Sequence, residues 1–318
     1  ATNMTGTASN QLRSAFVAEA TAGTTPSSPA FTNSDVPINM TAAPTIVEHR
    51  SLAAKGEAVE TAIAGIDVTG NMSGSFVYGA YDDFFESLFQ GTWATNVLKN
   101  AKTTQSVTVE NAITAGAGGT STMMRYQGIE GVGGSLTLAS NADITFAFDL
   151  MGMGSIDTST SGIGSASYTD QTERDPLTSG VDVGTIAFAG YTLDAFESAT
   201  INFNYEGREA QNKLGSSFIK NGLTLGAAMA DITARVYVDA NFSALYNAAR
   251  DTDHSLFAVT FPLGSVGGKK YTLLFPKCKF TGANLDFTGN NAMQDVSIRA
   301  LYDEASEDAS MKLTRAVS

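Results

Sequence analysis

The sequence is poor in the side chains on which catalysis and metal binding most often rest. Among 318 residues there are one cysteine, Cys278, and two histidines, His49 and His254. A single cysteine makes no intrachain disulfide, and Cys278, set in the apolar run LLFPKCKF, reads as a small buried hydrophobe and not a nucleophile. No local signature supports a Cys–His dyad. Basic residues are also scarce, 19 Lys and Arg against 32 Asp and Glu, for a net charge of −13. That balance argues against a free nucleic-acid-binding protein, which needs clustered cations to neutralise phosphates. No apolar run reaches the ~18 residues of a membrane-spanning helix. The segment ATNMTGTASN lacks the charged and apolar regions of a signal peptide, and a leading Ala fits removal of an initiator Met, so synthesis and folding in a cytoplasm are expected. There is no P-loop, strand–GxGxxG–helix unit, HExxH, GxSxG or paired CxxC. GAGG at 116–119 has no following Lys, DTDH at 251–254 lacks the further ligands of a calcium loop, and the lysines of SVGGKKY sit at a hairpin tip. No cofactor and no metal are expected.

What fills the chain instead is Thr, Ser, Gly and Ala, with a charged fraction of only 16%. This suits a β-rich protein with many turns, and the length allows one large or two medium domains. A short helix is expected in QLRSAFVAEA. From residue 59 apolar residues alternate: Val59, Thr61 and Ile63 share one parity, Ile66 and Val68 the other, so a bulge is expected near Gly65. Gly70-Asn71 reads as a turn between two strands. Further strands are expected at 105–110, 122–128, 134–138 and 143–150, where Ile144, Phe146, Phe148 and Leu150 share one face. Residues 152–180 are Ser-, Thr- and Gly-rich without apolar periodicity and read as a linker or contact loop. Strands resume with TIAFAGYTL and SATINFNYEG. MADITARVYVDANFSALYNAARD then follows the layout of VTGNMSGSFVYGAYDDFFESLFQG, and GANLDFTGNNAMQDVSIRALYD that of GGSLTLASNADITFAFDLMG. The pattern suggests an internal duplication. It divides the chain into an N-terminal arm (1–40), a first β domain (41–152), a linker or contact loop (153–180) and a second β domain with a C-terminal arm (181–318).

One stretch concentrates the aromatics. In YGAYDDFFESLFQGTW, Tyr81, Phe84, Phe85, Leu88 and Phe89 fall on one helical face, with Trp93 just beyond. Asp82 and Asp83 occupy the first turn, where the helix dipole favours acids, and Gly91 stands where a C′ glycine would. Adjacent helix positions diverge by ~100°, so the two carboxylates read as a helix start and not as a converging catalytic or metal pair. The six apolar residues are therefore expected to pack a short amphipathic helix onto a sheet.

Taken in order, Glu19, the Gly-Thr-Thr-Pro loop from Gly23 to Pro26, Tyr78-Gly79, Asp82-Asp83, Gly91, Trp93 and the later FDLMG resemble the major tail tube proteins of long-tailed (siphovirus-like) bacteriophages. The resemblance covers most of 13–153 and, more weakly, the second half. It implies a mainly β fold of tandem tail-tube-type β-sandwich or barrel domains, each flanked by a short helix, with extended arms and loops. It further implies a structural virion protein, not an enzyme, whose copies close into rings that stack into the conduit for DNA ejection. Implied partners are other copies of the chain, the tape measure protein, the tail terminator and distal tail proteins, and viral DNA passing an acidic lumen without specific binding; no membrane is implied. Two tandem domains favour a trimeric ring with pseudo-sixfold symmetry, with a hexamer as the alternative. Which residues face the lumen is not fixed by sequence, because strand register is not. A β-sandwich binding module of lectin or adhesin type, expected to carry an export signal, is the competing reading. A hydrolase with a nonlocal site has no positive support.

Overall fold

A computed structural model describes residues 11–52, 55–114, 120–193, 195–215, 218–250 and 255–316, with the side chains of 155–157 left aside. GAGG, DTDH and His254 lie outside the described residues. The protein is mainly β with two short helices. In chain order the first half contains β1 (Leu12–Ala18), β2 (Ala30–Asn33), β3 (Ile38–Arg50), β4 (Ala58–Ser75), α1 (Asp82–Phe89), β5 (Val97–Lys99), β6 (Val107–Thr114), β7 (Ser121–Ala139), β8 (Thr145–Gly152), β9 (Gly154–Ser159) and β10 (Ser167–Asp170). The second half contains β11 (Ala187–Phe188), β12 (Phe196–Glu206), β13 (Ala210–Gln211), β14 (Gly222–Leu223), β15 (Ala227–Tyr237), α2 (Phe242–Ala248), β16 (Phe257–Leu263), β17 (Tyr271–Asp286), β18 (Met293–Ala300) and β19 (Lys312–Arg315).

Pairing follows one scheme twice. In the first half the order is β3-β4-β8-β7, and in the second β12-β15-β18-β17. The start of β7 bends away to pair with β6 and β9, and the start of β17 does the same with β16 and β19. Each half thus has a second layer packed over its main sheet. β7 also pairs with β12, from Ala139 opposite Ser198 to Gly133 opposite Asn204, so the two main sheets run on as one surface of eight strands. Their inner faces bury Ile38, Met72, Phe148 and Leu136 in the first half and Ile201, Ile232, Ile298 and Val296 in the second. Full burial of such side chains contributes roughly 1.5–3 kcal/mol each.

Several local expectations are corrected. QLRSAFVAEA is not helical. Its middle is β1, held by backbone ladders to β2 and β6, and pairing on both sides overrides a weak helical preference. Gly70-Asn71 is not a turn, because β4 runs through it; an added Cβ at Gly70 would run into the Asn39 carbonyl and the Met40 sulfur, so glycine there permits close strand approach. The strands expected at 122–128 and 134–138 are one, β7, bent at Gly128 (φ 63°) and bulged between Gly131 and Gly133. TIAFAGYTL contributes only the two residues of β11. The polar stretches at both ends and at 153–180 are built into the sheets as β1, β2, β9, β10 and β19, with Phe16, Phe31, Met311 and Leu313 buried. The bulge near Gly65 is present, as a register shift in the β3–β4 ladder after Thr45 opposite Gly65.

Candidate functional site

The face of the eight-stranded surface opposite the core is built from the other parity of each strand. It carries Asn39 and Thr41 on β3, Asn71 and Ser73 on β4, Asp149 on β8, Ser135 and Thr137 on β7, Thr200 and Asn202 on β12, Asp231 and Thr233 on β15, and Ser297 on β18. Most are short, neutral and polar. Two arginines stand on this face and both are ion-paired. Arg235 bonds Asp286 (2.7 Å), Glu197 (2.9 Å) and Asp295 (2.9 Å), and Arg299 bonds Asp231 (2.8 Å). Lys279 on β17 stands opposite Arg299 on the same face, so the cations of this surface cluster at the β17 margin.

Its two margins are strand edges. β3 pairs only with β4, and Phe280–Asp286 of β17 pairs only with β18, among the described residues. Beyond Ala43 the β3–β4 hairpin is exposed, with Ile46 at 59% and Val59 at 58%. Pro44 stands on the β3 edge, where a missing N–H costs no ladder bond.

The sequence-selected helix lies beneath the first main sheet. Phe84, Phe85, Leu88, Phe89 and Tyr81 are buried, and Trp93 is half-buried with Arg315 4.3 Å above its ring. Phe84 meets Phe16 edge-on (4.9 Å), Tyr81 meets Phe146 (4.2 Å), and Phe89 reaches Phe203 of the second half (5.9 Å). Gln90, not Gly91, adopts the left-handed conformation at the helix end (φ 51°), while an added Cβ at Gly91 would run into the Lys99 carbonyl. The two aspartates diverge. Asp82 accepts a hydrogen bond from the Tyr271 hydroxyl and pairs with Arg315, so it ties α1 to the second half. Asp83 is half-buried, and burial first, then Glu86 and Asp82, push its carboxyl up to about 6. They line a cleft of about 300 Å³ with Gln171 and Glu173, but no group of three or more His, Cys, Asp or Glu able to hold a metal occurs among the described residues.

Three sets of contacts were not legible in the sequence. Glu19 is a buried carboxylate accepting from Ser106 and Thr108 hydroxyls (2.6 Å each), Gly23 N–H (2.7 Å) and Gly128 N–H (3.0 Å). It fixes the Gly-Thr-Thr-Pro loop to the bend of β7. Arg208, just after β12, pairs with buried Glu130 on β7 (2.5 Å), and Lys220 pairs with Asp67 on β4 (2.7 Å), so the loop between β12 and β15 clamps the junction of the halves. Cys278 is fully buried on β17, and burial pushes its thiol up to about 12, while His49 lies far along the exposed hairpin. Nothing there forms a nucleophile.

Among the described residues the main sheets thus form a surface with two open margins and a polar outer face. The chain belongs to the phage tail tube protein family, whose model matches residues 9–304. The family is a structural component of the virion tail and not an enzyme class. No curated protein matches the chain.

Proposed function

We propose that the chain is a ring-forming subunit that stacks into the tail tube and that its polar face lines the lumen through which DNA leaves. The observation that carries this is the repeated strand order with the β7–β12 seam, which lays two sheets of like strand order edge to edge and leaves a free edge at each end. Unpaired edges invite association, and a closed ring removes them. Two domains per chain favour three copies per ring with pseudo-sixfold symmetry over six. The binding-module alternative would leave both margins bare. Tape measure, terminator and distal tail proteins are the expected partners in the virion, and synthesis in the host cytoplasm is the expected origin.

The test is negative-stain electron microscopy of concentrated protein with native mass spectrometry. Rings of three copies, stacking into tubes of uniform bore, are expected; an inert monomer at high concentration overturns the reading. Tubes of the wild-type chain should not retain DNA at physiological salt. Tubes carrying Thr233→Arg should retain it, and added salt should release it.

A further inference from the structure

Resting on that ring reading, we propose that β3 of one copy pairs antiparallel with β17 of the next in a defined register, Ile38 opposite Ala283 and Asn39 opposite Gly282. The chain holds its own template for this seam. Ile38 pairs with Met72, and Ile201 with Ile232; Met72 and Ile232 each stand ten residues before the first residue of their helix, Asp82 and Phe242. β3 and β12 therefore correspond. Leu136 pairs with Phe146, itself opposite Gly74, and Ala283 pairs with Val296, itself opposite Ala234. Gly74 and Ala234 lie two residues after Met72 and Ile232, so β7 and β17 correspond too. Within the chain Ile201 faces Leu136 and Asn202 faces Ser135. The same seam made between copies brings Ile38 to Ala283 and Asn39 to Gly282.

The β3 edge is held closed in the single chain. Ile38 N–H donates to Ser14 Oγ (3.2 Å) and Asn111 Nδ2 donates to the Ile38 carbonyl (2.8 Å). Pairing with a second copy replaces these two bonds by backbone ones and requires the buried Ser14 hydroxyl and Asn111 amide to find new partners, a cost that the rest of the seam must offset. The flanking charges are exchanged as well. Glu130 lies opposite Met151, and the Lys277 carbonyl accepts from Leu301; Met151 and Leu301 follow the matched Phe148 and Ile298 by three residues. Lys277 thus holds the place of Glu130, although it also faces Asp303. The internal seam receives a loop bearing Arg208 and Lys220, whereas the hairpin that arrives with β3 bears exposed Glu57 and Glu60, with Lys55 near its tip and Glu48 paired to Arg50 (3.4 Å). Its exposed Ile46, Val47, Val59 and Ile63 gain a surface to cover them.

The experiment combines Asn39→Cys with Gly282→Cys and a short bis-maleimide, with the single variants as controls and assembly followed by microscopy in the same samples. Linked copies should appear only on assembly and end at the ring number. Thr41→Cys with Asn284→Cys, which a four-residue slip would bring together, should stay unlinked. Rings lacking the 39–282 link, or showing the 41–284 link, overturn the register and leave the ring reading standing; absence of rings from the wild-type chain overturns both. Lys277→Glu, which changes only a partly exposed side chain of β17, should raise the concentration for half-assembly about tenfold, and an unchanged threshold overturns the seating of the hairpin on Lys277.

Discussion

The two helices occupy matching places in the two halves and are built to different standards. α1 buries Phe84, Phe85, Leu88 and Phe89, whereas α2 buries only Leu245, with Phe242 half-covered. Above α1 the second layer runs β10-β2-β1-β6-β7-β9, while the corresponding strand β16 has, among the described residues, the two-residue β11 and a single bridge from Val183 beyond it. One topology thus serves two purposes. The first half is a packed anchor on which the joint between halves is assembled, since Asp82, Trp93 and Phe89 all contact the second half. The second half keeps the pairing scheme with less beneath it. Repetition of strand order does not require repetition of core.

The sharpest way to break this comparison is to remove one aromatic side chain from each helix. Phe85→Ala should cost ~3–5 kcal/mol and Phe242→Ala less than ~1 kcal/mol by chemical denaturation, because only the first leaves a closed cavity. Similar losses would mean that the helices are equivalent. Next comes the clamp. Glu130→Gln leaves Arg208 buried without its counter-charge and should also cost ~3–5 kcal/mol, most visibly as separate melting of the halves. Retention of a single unchanged transition would show that the seam holds without the ion pair.

The smallest effect tests the anchor by acidity. Asp83 titrates near 6 when folded against an ordinary 3.8, so the folded state binds the proton more tightly. Its destabilising contribution is absent below about pH 4, grows as pH rises through 4–6, and is complete above 6. Asp83→Asn should therefore gain ~1–2 kcal/mol at pH 7, after loss of a modest helix-dipole term, and nothing at pH 4. A gain that does not vary with pH would place the cause elsewhere. On sequence alone the first turn argued for a loss; the burial that reverses the sign comes from neighbours remote in the chain.

What the sequence revealed follows from the range of the interaction concerned. The α1 stripe and the bulge near Gly65 are local patterns of three to eight residues and were legible. β1 was misread because its partner β6 lies about a hundred residues away and a short apolar run does not declare its period. Gly70-Asn71 looked like a turn because glycine marks both turns and close strand approach, and only the position of Asn39 separates the two. Asp82 looked like a helix start; its partners Tyr271 and Arg315 enter from the far end of the chain. An acidic lumen was expected, whereas the outer face of the main sheets is mostly neutral and polar; which residues stand on that face is a matter of register, which the sequence does not fix.

β7 is one uninterrupted strand that pairs with β6 and β9 in one layer and with β8 and β12 in the other, turning at Gly128 where Glu19 grips it. Such a strand works as a shaft through both floors of the molecule. Shear applied to the main sheet travels along covalent bonds to the second layer and need not cross a side-chain interface, so the first half responds to a sideways load as a single stiff block.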